Sequence, residues 1–172
     1  MYILGLNAYH GDSSACIFKD NKLVAAIEEE RIRRIKHWAG FPSESIKFCL
    51  GECDISIQDV DHITISRDPS ANIYKKITHS IKHAVSLKVL KDRFKNTRKV
   101  NSVKQELSNV FSINEAEIKA EVHNIEHHRS HMASAFFASP FEDSAILSID
   151  GFGDFTSTMI GIGRDKKIEV LD

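Results

Sequence analysis

Three short apolar runs, separated by polar turn residues, occupy the first 27 residues of the chain. Residues 2–6, 14–18 and 23–27 each have the length and composition of a β-strand, and a four-residue turn joins the last two. Runs this short do not make amphipathic helices, so the pattern predicts an antiparallel meander. Further strands are predicted at residues 60–66, 120–123, 145–149, 155–162 and 168–171.

Helical signals alternate with these strands. Ser43 precedes a periodic apolar stretch and is predicted to be a helix N-cap, and a second helix is predicted over residues 126–138, before Pro140. Residues from about 69 to 112 carry helically spaced apolar side chains between two strand-rich parts, which predicts a helical insertion. We expect an α/β fold with a mixed sheet, flanking helices and this insertion as a peripheral lobe whose deletion leaves the remainder folded.

Charge is concentrated in that insertion, although the whole 172-residue chain has a formal net charge of −1. Residues 75–104 contain ten Lys or Arg and one acid, Asp92. The segment is interpreted as a solvated helical face, and the alternative is a binding module for nucleic acid or an acidic partner. Nucleic acid is disfavoured, because Tyr74 and Phe94 are too few aromatic rings for a stacking platform.

The composition also indicates a compartment. Three cysteines, Cys16, Cys49 and Cys53, make no disulfide framework, which is typical of a reducing environment. No stretch approaches the roughly 20 apolar residues of a membrane span, and the N-terminus does not resemble a signal peptide. We therefore expect a cytoplasmic protein without a membrane partner.

Four of the nine histidines fall between residues 123 and 131. His127 and His131 are four residues apart, so on a helix both imidazoles project from one face, as two ligands of one metal ion must. His128 would point about 100° away from them. The alternative is a run of surface or cap histidines.

Asp150 follows an apolar strand and opens a glycine-rich stretch, residues 150–154, which is predicted to be a turn. A carboxylate at such a strand end, next to glycines that allow close approach, suits a metal or phosphate site. Two imidazoles and one carboxylate are a donor set for Fe(II), Zn(II) or Mn(II) with open coordination positions. The alternative is an aspartate that caps its own turn.

Two polar segments near the N-terminus are further candidates. The loop over residues 7–14 has small residues whose N–H groups suit an anion, and His10 within it is either a general acid or base or an ordinary surface histidine. The basic run over residues 31–37 either neutralises a phosphate or forms surface ion pairs with the preceding glutamates.

Several of these motifs, in order, resemble one family. Leu4–Ala15 (LGLNAYHGDSSA), Ala25–Arg31 (AAIEEER) and Arg34–His37 (RIKH) resemble the N-terminus of the NodU/CmcH-type O-carbamoyltransferases. His127–Phe136 (HHRSHMASAF) and Ser148–Gly151 (SIDG) resemble the metal-binding segment of the same family. The resemblance covers both ends of the chain and is weak over residues 69–112.

The resemblance implies an actin-like ATPase domain (ASKHA, ribonuclease H-like), related to the ATPases of tRNA threonylcarbamoyl-adenosine synthesis. In the family a YrdC-like domain makes carbamoyl-adenylate from carbamoyl phosphate and ATP. The actin-like domain then transfers the carbamoyl group to a hydroxyl of a sugar, antibiotic or nodulation-factor acceptor. Residues 1–172 would be the N-terminal part of that domain, truncated before its C-terminal half and the YrdC-like domain, and inactive alone.

The resemblance also implies site residues. His127, His131 and Asp150 would bind a divalent metal, for which Fe is the first expectation, Zn and Mn are alternatives and Mg is a further candidate. His10 would be the catalytic base and Lys36 would contact carbamoyl-adenylate. An ASKHA-type phosphotransferase is the main alternative, and it is disfavoured because Mg²⁺ prefers oxygen ligands to paired imidazoles. The non-catalytic binding module remains the other alternative.

Overall fold

The computed structural model describes residues 1–82 and 103–171, with the backbone alone described at 77 and 79–82. The described residues divide into two compact units: residues 1–66 with 103–124, and residues 67–82 with 125–171. No helix in these ranges is both long and apolar enough to cross a membrane.

The first unit contains a five-stranded mixed sheet in the order β3-β2-β1-β4-β5. The strands are β1 Tyr2–Asn7, β2 Ser14–Lys19, β3 Lys22–Glu28, β4 His62–Ile65 and β5 Glu121–Asn124. The first three form the predicted antiparallel meander, whereas β4 runs parallel to β1 and β5 runs parallel to β4. Asp20 and Asn21 both have positive φ, so the predicted β2–β3 turn has left-handed residues at both central positions.

Helices cover one face of this sheet. They are α1 Glu29–Arg33, α2 Ser43–Glu52 and α4 Val103–Phe111, with short 3₁₀ turns at Ile57–Asp59 and Glu115–Glu117. Alternate strand residues such as Leu4 and Ile63 share a fully buried core with Ile46 of α2 and Leu107 of α4. Each such side chain contributes about 1.5–3 kcal/mol through burial.

The buried Leu107 corrects the expectation of a wholly peripheral insertion. Val103 and Leu107, which lie within the predicted insertion, are 1% and 0% exposed and belong to the core of the first unit. Deleting residues 69–112 would remove both side chains from this core, so we expect the deletion to cost more stability than removal of a peripheral lobe would. The insertion as one body remains a prediction, because its middle, with most of the basic segment, lies outside the described residues.

The start of α2 also differs from the prediction. Pro42 rather than Ser43 is the N-cap, and its side chain caps nothing. The buried Glu29 carboxylate accepts the N–H groups of Glu44 and Ser45 instead, together with the Ser45 hydroxyl. Arg33 donates to the same carboxylate. A distant carboxylate therefore satisfies the helix N-terminus, which local sequence signals could not reveal.

The second unit contains helix α3 Ile73–Lys82, helix α5 His127–Phe137 and an antiparallel sheet in the order β6-β7-β8. Its strands are β6 Asp143–Gly153, β7 Thr156–Arg164 and β8 Lys167–Val170. Met132 and Phe136 of α5 pack on Ile146 of β6 and Met159 of β7. A Cβ atom at Gly163 would lie 2.5 Å from the Phe136 ring, so glycine lets the helix approach β7 closely.

The turn in the structure is shorter and lies later in the chain than the one predicted at residues 150–154. β6 continues as strand to Gly153, with irregular pairing between Ile149 and Gly153. The turn is formed by Asp154 and Phe155, whose φ angles are 47° and 68°. Asp150 is therefore a strand residue in an irregular stretch, where regular pairing with β7 stops after Ile149 and resumes at Gly153 with Thr156.

Candidate metal centre

Helix α5 presents two histidines from its first turns. His127 is its first residue and His131 lies one turn later, with ring centroids 4.7 Å apart. The Glu126 carboxylate caps the helix by accepting the Arg129 N–H at 2.8 Å. Asp154 accepts the His127 N–H at 3.0 Å. These two acidic acceptors satisfy N–H groups that the helix leaves without intrahelical partners and fix where the first turn begins.

Asp150 of β6 faces these two rings. Its Oδ2 atom is 2.8 Å from His127 Nε2 and 3.3 Å from His131 Nε2, and the two nitrogens are 3.1 Å apart. The structure thus brings together the three side chains that the sequence analysis selected. The exposed fractions are 17% for His127, 50% for His131 and 42% for Asp150, so the group is open to solvent on one side.

The spacing of these donor atoms suits one ion bound from one side. For an ion about 2.1 Å from all three donor atoms, the donor–ion–donor angles would be about 85–105°. These angles are close to the 90° between the ligands on one face of an octahedron. This is the arrangement of two histidines and one carboxylate that leaves the remaining coordination positions open. The donor set fits Fe(II), Zn(II) or Mn(II) better than Mg²⁺, which prefers oxygen ligands.

The carboxylate is held in its charged form. The hydrogen bond with His127 and, secondarily, the Gly151 N–H keep the pKa of Asp150 well below its usual range. The Gly151 N–H donates to Oδ1 at 2.6 Å, which leaves Oδ2 directed at the histidines. A carboxylate that is ionised and oriented in this way is prepared to bind a cation.

Gly153 makes room for His127. A Cβ atom at this position would lie 2.0 Å from His127 Cδ2 and 2.3 Å from Cγ. The imidazole therefore lies directly against the backbone of β6, in space that any other residue would fill. The glycine-rich sequence around this position predicted only a turn.

His128 supports the centre from inside the second unit. It is fully buried, as its predicted direction away from the other two histidines allows. Its Nδ1 is 2.8 Å from the Ser148 hydroxyl and its Nε2 is 3.0 Å from the Thr156 carbonyl oxygen. Because the carbonyl can only accept, Nε2 is assigned the hydrogen, and Ser148 donates to Nδ1. His128 thus ties α5 to both β6 and β7.

Asp154 is a second supporting residue that the sequence analysis missed. Besides the His127 N–H, its Oδ2 accepts the Asp68 N–H at 2.7 Å. Its backbone carbonyl accepts from the Asn72 side chain at 3.0 Å. The turn that carries Asp154 therefore anchors the helix start and residues 68–72 together. Its place in a glycine-rich stretch was the only sequence signal available.

The other two predicted residues, His10 and Lys36, lie in the first unit. His10 is exposed in the β1–β2 loop, with Nδ1 3.3 Å from the Gly11 carbonyl oxygen. Lys36 is exposed in the segment that follows α1.

Hydrogen bonds join the loops that carry these two residues. The Gly40 carbonyl accepts from Tyr9 N–H and from the Ser13 hydroxyl, and the Trp38 carbonyl accepts the Ser13 N–H. The neighbouring His37 is 2.8 Å from Asp12 through Nδ1, and this contact raises the pKa of His37. His10 and Lys36 therefore belong to one connected loop region.

Comparison with known proteins places the chain in a family. The family described as carbamoyltransferase N-terminus matches residues 2–171. The uncharacterized protein sll1178 of Synechocystis is 34% identical over 97% of this chain and 28% of its own length. Nodulation protein NolNO of Sinorhizobium fredii is 30% identical over 96% of this chain and 23% of its own length. The chain thus spans about a quarter of these curated relatives.

Among solved structures, YeaZ from Pseudomonas aeruginosa superposes with a TM-score of 0.49 and 14% identity, over 99% of this chain and 64% of that one. The family match extends over both the β1–β2 loop with His10 and the segment that carries His127, His131 and Asp150. On this match, the chain belongs to the carbamoyltransferase N-terminus family.

Proposed function

We propose that this chain is the N-terminal part of an O-carbamoyltransferase in which His127, His131 and Asp150 bind a divalent transition metal. The observation that carries the proposal is the spacing of their three donor atoms, 2.8–3.3 Å, in a chain of this family. Iron is the first candidate metal, and zinc and manganese have compatible ligand preferences.

The reaction we propose is carbamoyl transfer from carbamoyl-adenylate to an acceptor hydroxyl. The hydroxyl oxygen forms a bond to the carbamoyl carbon, the bond from that carbon to the phosphate oxygen breaks, and AMP leaves with the electron pair. The hydroxyl proton passes to a base on the protein. A divalent ion bound by the histidines and Asp150 supplies Lewis-acid stabilisation of the developing negative charge.

His10 is the proposed base. Its Nδ1 faces the Gly11 carbonyl oxygen at 3.3 Å, and a carbonyl only accepts, so Nδ1 is assigned the hydrogen and Nε2 the lone pair. A hydroxyl is a poor nucleophile near pH 7, and a positioned imidazole that removes its proton contributes about 10²–10⁴-fold. Ser13 fixes the loop, since its hydroxyl donates to the His10 carbonyl at 3.0 Å.

Lys36 is the proposed contact for the adenylate phosphate. Lys36 is exposed on the segment that Gly40 and Trp38 anchor to the His10 loop. A flexible lysine on an anchored segment can follow the phosphate charge as AMP departs.

The wider context of the proposal is an actin-like domain whose C-terminal half and YrdC-like partner lie outside these 172 residues. The mixed sheet with flanking helices in the first unit supports that fold. The carbamoyl-adenylate would come from carbamoyl phosphate and ATP, with Mg²⁺ accompanying the nucleotide, and the setting would be cytoplasmic.

Elemental analysis tests the metal ligands. After equilibration with Fe(II) and gel filtration, His127→Ala, His131→Ala and Asp150→Asn should each contain about one equivalent of iron less than the parent chain. His10→Ala, which changes a histidine far from the three proposed ligands in the sequence, should keep the iron content of the parent chain. Unchanged iron in all three ligand variants would show that these side chains do not bind the metal.

Binding of a stable analogue tests the substrate class. A carbamoyl-adenylate in which a sulfamoyl group replaces the phosphate should bind the parent chain in a calorimetric titration. Lys36→Ala should weaken that binding about tenfold, while the exposed Lys22→Ala should not. Equal affinity for the parent and Lys36→Ala would remove Lys36 from the proposed site.

A further inference from the structure

A second group of two histidines and one carboxylate lies in the first unit, on strands β4 and β5. His62 begins β4 and pairs in register with Glu121, and His123 pairs with Thr64 two residues further along the strands. Residues two apart on a strand share a face, so all three side chains project from the same side of the sheet. That face is opposite the one on which Ile63 is buried.

The three donor atoms have the spacing of a coordination site. His62 Nδ1 is 3.0 Å from His123 Nε2, and Glu121 Oε2 lies 3.9 Å from the first and 3.8 Å from the second. A point equidistant from these three atoms lies about 2.1 Å from each, which is the length of zinc–imidazole and zinc–carboxylate bonds. That point falls inside the triangle, so one ion there touches all three atoms.

The contact between the two rings is itself informative. With nitrogens 3.0 Å apart, one ring must donate an N–H to the lone pair of the other. A divalent ion would bind a lone pair of each ring once this hydrogen has moved to the other nitrogen of its own ring, so both imidazoles stay neutral. Imidazole and carboxylate ligands suit borderline ions such as Zn²⁺ better than Mg²⁺ or Ca²⁺. Both rings are about one third exposed and Glu121 is 70% exposed, so an ion and water ligands can enter from solvent.

We propose that His62, His123 and Glu121 form a zinc-class metal site that joins β4 to β5. The position indicates a stabilising role, because His62 and Glu121 are the first residues of two parallel strands, whereas reaction sites in such sheets lie at the carboxyl ends. β5 is a four-residue edge strand, and an ion would tie it to its neighbour through side chains. The site is distinct from His127, His131 and Asp150.

Zinc stoichiometry separates the two sites. The parent chain equilibrated with Zn²⁺ alone and measured by native mass spectrometry should carry two ions. The double variant His62→Gln/His123→Gln should carry one, and so should His127→Ala/His131→Ala. Retention of the parent stoichiometry in His62→Gln/His123→Gln would overturn the proposal, whatever the result for the other pair.

A milder variant guards against misfolding. Glu121→Gln alters an exposed side chain, keeps its size and removes the charge, so the far-ultraviolet circular dichroism should match that of the parent. In the His127→Ala/His131→Ala background, Zn²⁺ should bind Glu121→Gln at least about tenfold more weakly and should raise its melting temperature less. In the same background, His37→Gln alters another exposed histidine beside carboxylates and should leave the zinc affinity unchanged. Equal affinity with and without Glu121→Gln would refute the assignment of Glu121.

Discussion

Replacing Gly153 with alanine places a methyl group where the His127 imidazole lies. The added Cβ would be 2.0 Å from His127 Cδ2 and 2.3 Å from Cγ, whereas ordinary carbon contacts are about 3.5 Å or longer. The ring must therefore move by more than about 1 Å. No described glycine has a positive φ, so the backbone accepts alanine and the effect is purely one of contact.

A movement of that size should abolish the proposed coordination. Distances in metal sites hold to about 0.2 Å, and the His127 Nε2 to Asp150 Oδ2 distance is 2.8 Å at present. We expect the affinity for Zn²⁺ to fall at least about a hundredfold, since one of three protein ligands is displaced. Overpacking should also lower the free energy of unfolding by about 1–3 kcal/mol.

Gly151→Ala is the matched control for this experiment. It makes the same substitution two residues earlier on the same strand, where a Cβ would meet nothing within 4 Å. Both variants should be titrated calorimetrically with Zn²⁺ in the His62→Gln/His123→Gln background, so that only the centre on α5 and β6 is measured. Parent-like affinity in Gly153→Ala would refute the reasoning, and so would an equal loss in Gly151→Ala.

Three further predictions concern the first unit. Leu107→Ala should lower the free energy of unfolding by about 2–5 kcal/mol in urea titrations, because the side chain is fully buried, and a loss below about 0.5 kcal/mol would mean that α4 is not part of the core. Burial opposes ionisation of Glu29, but hydrogen bonds from Ser45 and Arg33 outweigh it and keep the pKa of Glu29 below its usual value. Its carboxylate therefore stabilises the fold above the unfolded pKa of about 4.3 and loses this effect as the pH falls through the folded pKa. The loss of unfolding free energy caused by Glu29→Gln should thus be larger at pH 7 than at pH 3. Equal losses at the two pH values would contradict this. Burial raises the pKa of Cys49 to about 12, so mass mapping should find it unalkylated by iodoacetamide at pH 8 in the native chain and alkylated in urea.

Local sequence patterns were sufficient for most elements of the fold. Alternating apolar runs predicted the β1–β3 meander, and the predicted helix over residues 126–138 is α5 His127–Phe137. These signals succeed because strand and helix periods are properties of neighbouring residues. The buried Leu107 was assigned to a peripheral lobe, because helical spacing alone does not show which neighbour a helix packs against.

The sequence predicted which three side chains meet at the candidate metal centre, but not the contacts that support them. The four-residue spacing placed His127 and His131 on one helix face, because that geometry is intrinsic to the helix. The space that Gly153 leaves for the His127 ring and the cap provided by Asp154 depend on how β6 and its turn meet α5. Such contacts arise only once the second unit is folded.

The pair of His62 and His123 shows most clearly what tertiary structure alone decided. They are 61 residues apart, and no spacing pattern in the sequence links one to the other. Their nitrogens meet at 3.0 Å because β4 and β5 pair in parallel, in the register that sets His62 beside Glu121. Sequence determined which residues form each strand, since side-chain alternation is local. The pairing register that brings the donor atoms together depends on the whole sheet, because it is set by which strands pair and which face is buried.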